Sequence, residues 1–487
     1  MEPLTLLQFT RPDPGRTETL VSQIYADLRT GMTSGAIPVG TRLPSSRRAA
    51  AILGVSRNTV NTAYDLLRAE GLVEIALQRR PVVTGGSAMP VVDMRAAPLA
   101  PTPPRVASNW TCDHREPCFI DRNGAMAPGR PDPALFPHEA WARTLRRASR
   151  HRLAAGDFAP PSSPPSPSLP ALREELARGL ARDRGMTVDP SQIIITGGTQ
   201  ASLALVALVL ARPGDRVLME DPGYMGARAA MLGAGLVPEP MPLDEEGARV
   251  PPAGDRARLV YLTPSNQYPL GHRLSLARRL AFIDHARRTG AIILEDDYDS
   301  EFHWRGREIA AMHALGSGRE VIYLGTTSKA LAPTLHLAWM VVPTELVKPF
   351  TQAQRNLGMM ANLQIQAAYG DWLASGEYRA HLRRISRCYA RRGAMLAERL
   401  REAFGKRVSL HGPDGGLQLA LVFRAGQDED AALQALHAAG FSPSRLSALC
   451  LQAGMTGLVI GFADATEQKI TRFCDTLAAS FAGAETP

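Results

Sequence analysis

From about residue 118 onward, short apolar runs alternate with longer amphipathic stretches, and five of the apolar runs close in the same way. They lie at 192–196, 216–220, 258–263, 291–295 and 321–325. Each ends in residues that can hold a ligand: Gly197-Gly-Thr-Gln, Glu220-Asp-Pro-Gly-Tyr, Thr263-Pro-Ser-Asn, Glu295-Asp-Asp-Tyr and Thr326-Thr-Ser-Lys. Near-continuous apolar strands separated by helices are what a mostly parallel sheet, covered on both faces, demands. Ligands bind such sheets outside the carboxyl ends of the strands. The body of the chain is therefore expected to be α/β, with one site built from five strand ends.

The 487 residues leave room for two or three domains. Three regimes divide them. Residues 1–85 are helix-patterned and rich in arginine. Residues 86–117 carry Pro90, Pro98, Pro101, Pro103 and Pro104, which forbid regular helix and read as an extended linker. Residues 118–487 hold the α/β body, whose pattern beyond about 361 changes to long helices and short strands at 417–423 and 457–462, a small α+β subdomain. A Pro- and Ser-rich stretch from Ala159 to Pro170 reads as an exposed loop within the body.

A net charge of +8 favours a polyanionic partner. Five scattered cysteines suggest a reducing compartment rather than a disulfide framework. Cys112, His114 and Cys118 lie close together but lack a second ligand pair, so they read as ordinary side chains and no metal is expected. The N-terminus has neither a basic nor an apolar signal region. The longest apolar stretch, 201–211, is shorter than the roughly 20 residues a bilayer needs. A cytoplasmic protein with no membrane partner is expected.

The first 85 residues carry a second, independent pattern. Leu20, Ile24, Leu28 and Met32 mark one face of a helix over 17–34. Ser45 is placed to cap a short helix that Gly54 ends, and Ser56 to cap the next, with Val60, Ala63, Leu66 and Leu67 facing inward. Two capped helices around a glycine turn make a helix-turn-helix. Arg57, Asn58 and Thr59 open the second helix and suit base edges, while Arg42, Ser45, Ser46 and Arg47 suit phosphates. Residues 72–83 fit a two-stranded wing with Arg79 and Arg80 at its tip. A plain helical domain with solvated arginines would share much of this pattern. The wording "Arg42-Leu-Pro-Ser-Ser-Arg", "Leu53-Gly-Val-Ser-Arg-Asn-Thr-Val" and "Ala63-Tyr-Asp-Leu-Leu-Arg-Ala-Glu-Gly-Leu" closely resembles the GntR-family winged helix, which implies a double-stranded DNA operator as partner. The tip departs from that family, reading Ala76-Leu-Gln-Arg-Arg-Pro where a glycine is usual.

In the body, Lys329 ends a buried strand, where a lysine can form a Schiff base with pyridoxal phosphate. Gly197-Gly-Thr before a helix fits an anion site at the helix N-terminus, or a plain turn. Acids as dense as Glu295-Asp-Asp-Tyr-Asp-Ser-Glu are costly after an apolar strand unless they meet a cation. A pyridinium is such a cation, with Asp296 against its nitrogen and Tyr298, on the same face, against the ring hydroxyl. Tyr224 fits a stacking partner for the ring, or a rim aromatic.

The order of these runs, with "Asp132-Pro-Ala-Leu-Phe-Pro" and "Thr327-Ser-Lys", resembles fold type I aminotransferases and in particular the MocR-type subfamily of GntR regulators. The resemblance spans nearly the whole chain. It implies pyridoxal phosphate as cofactor, a homodimer, and a transcriptional regulator that senses the cofactor or its adduct with a small amine or amino-acid effector. It also implies Lys329 as the Schiff-base lysine, Asp296 at the ring nitrogen, Tyr298 at the ring hydroxyl, Tyr224 on the ring face, and Gly198, Thr199, Thr326 and Ser328 around the phosphate.

Several family features are missing. His336 stands where the phosphate-binding arginine is usual, and losing that charged fork weakens phosphate binding by about 1.5–3 kcal/mol. The family's Tyr-Gly-Asp loop is reduced to Gly156-Asp-Phe-Ala, and its Gly-Leu-His becomes Gly416-Leu-Gln. The arginine that holds a substrate carboxylate has no clear counterpart in Leu458-Val-Ile-Gly-Phe, which leaves Arg424 and Arg445 as poor substitutes. These losses favour a sensor over the alternative, a pyridoxal-phosphate-dependent aminotransferase with a vestigial DNA-binding module.

Overall fold

The computed structural model describes residues 18–75, 80–84, 124–154, 168–304, 310–424 and 426–483, together with Asp13 and Gly15. The expected linker, Arg79, Cys112, His114, Cys118, Gly156-Asp-Phe-Ala and residues 159–167 of the Pro/Ser stretch lie outside these residues. The end of that stretch corrects the expectation of an exposed loop: Ser168 and Leu169 are buried and Pro170 opens a helix, because the chain there turns into the core. The chain divides into two compact units, residues 1–105 and 106–487.

The first unit opens with α1 (Leu20–Thr33), capped by Thr19, whose side chain accepts from the Ser22 N–H. In α2 (Ser46–Leu53), Ser45 accepts from the Arg48 N–H, and Gly54 closes the helix in the left-handed region at φ 66°. In α3 (Arg57–Ala69), Ser56 accepts from the Thr59 N–H. The buried stripe of α3 is Val60, Ala63, Tyr64 and Leu67, the i, i+3, i+4, i+7 set. Leu66, expected inside, is 42% exposed. It sits one residue, about 100° of rotation, off that stripe. Tyr64 fills the place instead, and its hydroxyl donates to the Pro44 carbonyl at 3.1 Å. The wing is β1 (Val73–Glu74) paired antiparallel with β2 (Val82–Val83).

The second unit runs through α4 (His138–Ala154), α5 (Pro170–Arg184), β3 (Ile193–Thr196), α6 (Thr199–Leu210), β4 (Arg216–Asp221) and α7 (Met225–Gly233). It continues with β5 (Val237–Asp244), β6 (Gly247–Ala248), β7 (Leu259–Leu262), α8 (Leu276–Thr289), β8 (Ile292–Asp296), α9 (Met312–Leu315), β9 (Val321–Thr326) and β10 (Ala338–Val341). The helices α10 (Val347–Asn356), α11 (Leu363–Ser375) and α12 (Glu377–Phe404) lead to β11 (Val408–His411), β12 (Gln418–Phe423), α13 (Glu429–Ala438), β13 (Ser444–Arg445), β14 (Gly457–Gly461) and α14 (Glu467–Gly483).

Eight strands form one sheet in the order β3-β10-β9-β8-β7-β4-β5-β6. The pairs from β9 through β5 are parallel, and β10 lies antiparallel between β3 and β9. Both faces are buried, as the unbroken apolar runs required: Ile193, Ile195, Tyr323 and Trp339 pack into one cluster, Ile194, Leu324 and Met340 into another. The five expected strands are β3, β4, β7, β8 and β9, each within a residue of its expected ends. All five carboxyl ends meet at one edge. Because β10 runs the other way, its first residues, just after His336, return to that edge: Ala338 pairs with both Thr196 and Thr326.

The strand β5 was not expected, because Pro238, Pro240 and Pro242 punctuate it. Val237 turns its N–H towards β4, so the prolines at alternate positions turn away from that neighbour. A proline ring therefore interrupts only the outer side, where the two-residue β6 is the sole strand partner among the described residues. The smaller subdomain is an antiparallel sheet, β11-β12-β14-β13, packed against α12, α13 and α14.

Candidate functional site

Lys329 follows β9 by three residues. Its Nζ donates to the Gly129 carbonyl at 2.8 Å and lies 5.9 Å from the Tyr298 ring centre. Burial pushes its amine below the ordinary lysine range, opposed by Asp299 and Asp296. Gly129 has φ 67°, and a Cβ there would sit 2.5 Å from Nζ, so this close approach needs glycine.

Asp296 ends β8 and is 4% exposed. Burial lifts its carboxyl to about 6, while a 2.6 Å hydrogen bond from the Tyr261 hydroxyl and the charge of Lys329 pull the other way. The acidic run around it resolves by strand alternation. Glu295 points to the other face, where it accepts from the N–H groups of Met312 and His313 at 2.7 and 2.9 Å and lies 3.7 Å from the buried Arg279. Asp297 pairs with Arg184 at 2.8 Å and accepts from the Tyr323 hydroxyl at 2.6 Å. Asp299 accepts from Asn266 at 2.8 Å. Protein groups thus account for Glu295, Asp297 and Asp299, and Asp296 is the acid of the run whose charge, with that of Asp299, acts on Lys329.

Tyr298 donates to the Asn266 carbonyl at 3.1 Å and receives the Gln418 amide at 3.1 Å. Tyr224 stands edge-on to Tyr268 with ring centres 5.8 Å apart, and Tyr268 edge-on to Tyr298 at 6.2 Å. The Tyr224 ring lies over Gly226, where any Cβ would collide with it.

The phosphate candidates gather where β3, β9 and β10 converge. Gly198 precedes α6 with φ 121° and gives that helix no side-chain cap, so its first N–H groups lack intrahelical partners. His336 adopts φ 48°, and its Nδ1 lies 3.9 Å from where a Cβ on Gly198 would stand. Thr326 accepts from the Ser328 N–H at 3.2 Å and donates to its hydroxyl at 3.0 Å. On the DNA-reading unit, Arg42, Ser45, Arg47, Ser56, Arg57, Asn58 and Arg80 are exposed, and Ser46 and Thr59 are half-buried. The Arg57 guanidinium donates to Ser46 at 3.3 Å.

Residues 20–83 match the family of bacterial regulatory proteins of gntR type, and residues 133–477 match aminotransferase class I and II. The chain is 33% identical over 480 residues to the probable rhizopine catabolism regulatory protein MocR of Rhizobium meliloti, covering 95% of this chain and 94% of that protein. The chain belongs to the MocR-type GntR regulators. The HTH-type pyridoxine biosynthesis transcriptional regulator PdxR of Corynebacterium glutamicum is 29% identical to this MocR-type chain over 461 residues, 94% of the chain and 95% of that regulator. Among solved structures, the α-aminoadipate aminotransferase LysN of Thermus thermophilus superposes with a TM-score of 0.68 at 24% identity, covering 77% of this chain and 95% of LysN. That likeness shows the fold type I aminotransferase fold.

The class I and II match makes pyridoxal phosphate the cofactor of this MocR-type chain. The donor set fits it: a half-buried lysine of lowered basicity, a buried acid, a phenol held by two amides, and an uncapped helix N-terminus beside a positive-φ glycine. Tyr261, Asn266, Gln418 and Gly129 complete the site and were not assigned from sequence. Gln418 was signalled by Gly416-Leu-Gln. Gly416 has φ 71°, and a Cβ there would lie 2.5 Å from both Asn266 and Asp299. Tyr261 was signalled only as the one tyrosine in an otherwise aliphatic strand. Neither carboxylate candidate is available. Arg445 is held by Glu429, at 3.2 Å, and by Asp430. Arg424 is exposed beyond the far end of β12, about 20 Å from Gln418 at the rise of an extended strand. Among the described residues there is no cluster that could hold a metal and no helix long and apolar enough to cross a membrane.

Proposed function

We propose that this chain is a cytoplasmic, homodimeric transcription factor whose residues 1–85 bind an operator and whose residues 118–487, joined to them by the 86–117 linker, sense pyridoxal phosphate or its adduct with a small amine or amino acid. The observation that carries this reading is the half-buried Lys329, bonded to the Gly129 carbonyl and within the field of Asp296 at the strand edge, in a chain that also holds a capped helix-turn-helix. When bound, pyridoxal phosphate supplies an aldehyde carbon that can exchange one amine for another.

The surrounding residues have distinct tasks. Lys329, its basicity lowered by burial, would be the resident amine, with the Gly129 carbonyl as a resting acceptor when it is released. Asp296 would hold a proton at the ring nitrogen, and Tyr298 would hold the ring hydroxyl. Tyr224 would cover the ring, and Gly198, Thr199, Thr326, Ser328 and His336 would take the phosphate. Arg42, Ser45, Ser46, Arg47 and Ser56 would set the protein on the DNA backbone, Arg57, Asn58 and Thr59 would read bases, and Arg79 and Arg80 would reach the adjoining groove.

An aminotransferase reading is weaker, because Arg424 and Arg445 cannot fix a carboxylate. Borohydride reduction of the protein with pyridoxal phosphate, followed by peptide mass analysis, tests the proposal. A pyridoxyl group on Lys329, with loss of the visible absorbance band in Lys329→Ala, is expected. No adduct on Lys329 would reduce the body to a scaffold.

A further inference from the structure

A crevice of about 370 Å³ opens between α5 and the junction of α11 with α12. That volume lies in the roughly 300–1,000 Å³ range of small-molecule sites. None of Lys329, Asp296, Tyr298 or Tyr224 lines it.

Its walls are aromatic. Tyr323, Trp339, Tyr369 and Tyr378 all face it. Trp339 and Tyr369 stack with centres 6.4 Å apart, and Tyr378 stands edge-on to Tyr369 at 5.4 Å. Glu301 lies among them, and its carboxylate accepts one long hydrogen bond, 3.5 Å, from the Tyr378 hydroxyl. Burial and the neighbouring Asp297 raise that carboxyl to about 7. Of the arginines that line the crevice, Arg184 is held by Asp297 and Ser265. At the mouth, Arg182 and Arg379 are both joined to Asp183, and the exposed Arg383 also lines the crevice. Glu301 feels the charge of Arg184 but makes no ion pair of its own among the described residues, and four aromatic side chains line the same crevice. Carboxylate and aromatic faces together recognise an organic ammonium.

We propose that this crevice is a second small-molecule site, distinct from the lysine site, that takes a small organic cation against Glu301 and the surrounding rings. The site belongs to the same strand-end run as the cofactor candidates. From that run, Asp296 and Asp299 turn towards Lys329, while Asp297 pairs with Arg184 and Glu301 lines the crevice. Ligand chemistry separates the two sites. Tetramethylammonium has no N–H and cannot exchange with a lysine on an aldehyde, so it probes the crevice alone.

The test is calorimetric titration of the full-length protein with tetramethylammonium chloride, with pivalate, an anion of similar shape, as comparison. Saturable one-to-one binding of tetramethylammonium is expected, unchanged in Lys329→Ala and weakened at least tenfold in Glu301→Gln. The absence of saturable binding overturns the proposal, as does binding that Glu301→Gln leaves intact. If Glu301→Gln fails to fold, the wild-type comparison decides: pivalate binding in place of tetramethylammonium would mean that the mouth arginines govern the crevice.

Discussion

Asp296 shows how a sensing site is set against stability at a single residue. Its carboxyl is raised to about 6 by burial, above the usual value of about 3.9. Between those values the folded chain binds more protons than the unfolded one, so stability falls as pH rises through that window. Above about pH 6 the full cost is present. Asp296→Asn keeps an acceptor for Tyr261 and removes the buried charge. It is expected to raise the melting temperature near pH 8, with the gain shrinking near pH 4, and to weaken pyridoxal phosphate binding at least about tenfold. Melting curves at both pH values and a cofactor titration check this; a lower melting temperature near pH 8 contradicts it. At His336, within reach of Gly198, arginine would restore a charged fork. His336→Arg is expected to tighten cofactor binding roughly tenfold. An unchanged or weaker constant would show that this side chain does not meet the phosphate.

At the scale of elements, α3 is the helix proposed to read DNA. Arg57 stands exposed in its first turn, three residues before the inward-facing stripe begins at Val60. Arg57→Ala is expected to cost about 1–3 kcal/mol on the operator and to relax sequence preference. Arg42→Ala, outside the helices, is expected to weaken all duplexes about equally and to lower the salt slope by about one. A salt series on operator and scrambled duplexes separates the two; equal losses for Arg57→Ala on both would remove α3 from the groove. The caps at Ser45 and Ser56 and the five strand ends were legible because each is a local pattern with a local cause. Leu66 was misplaced because Tyr64, whose hydroxyl needs a buried carbonyl, takes the inner position. The β5 strand was hidden by prolines that only its place near the sheet edge makes tolerable. Gln418 reaches Tyr298 from 120 residues away in sequence and Gly129 meets Lys329 from 200, and no spacing rule reports such meetings.

For the whole molecule, the claim is that one chain couples cofactor chemistry at Lys329 to DNA affinity. Coupling of this kind exists only if the two cofactor states bind DNA differently, and its usual size is about 5- to 150-fold. Fluorescence anisotropy with the intergenic DNA upstream of the protein's own gene measures it directly. Operator dissociation constants would be compared without cofactor and with saturating pyridoxal phosphate, in the wild type and in Lys329→Ala. The expected result is a change of at least about fivefold in the wild type and none in Lys329→Ala. Equal constants in the two wild-type states, or the same shift in Lys329→Ala, would contradict the account.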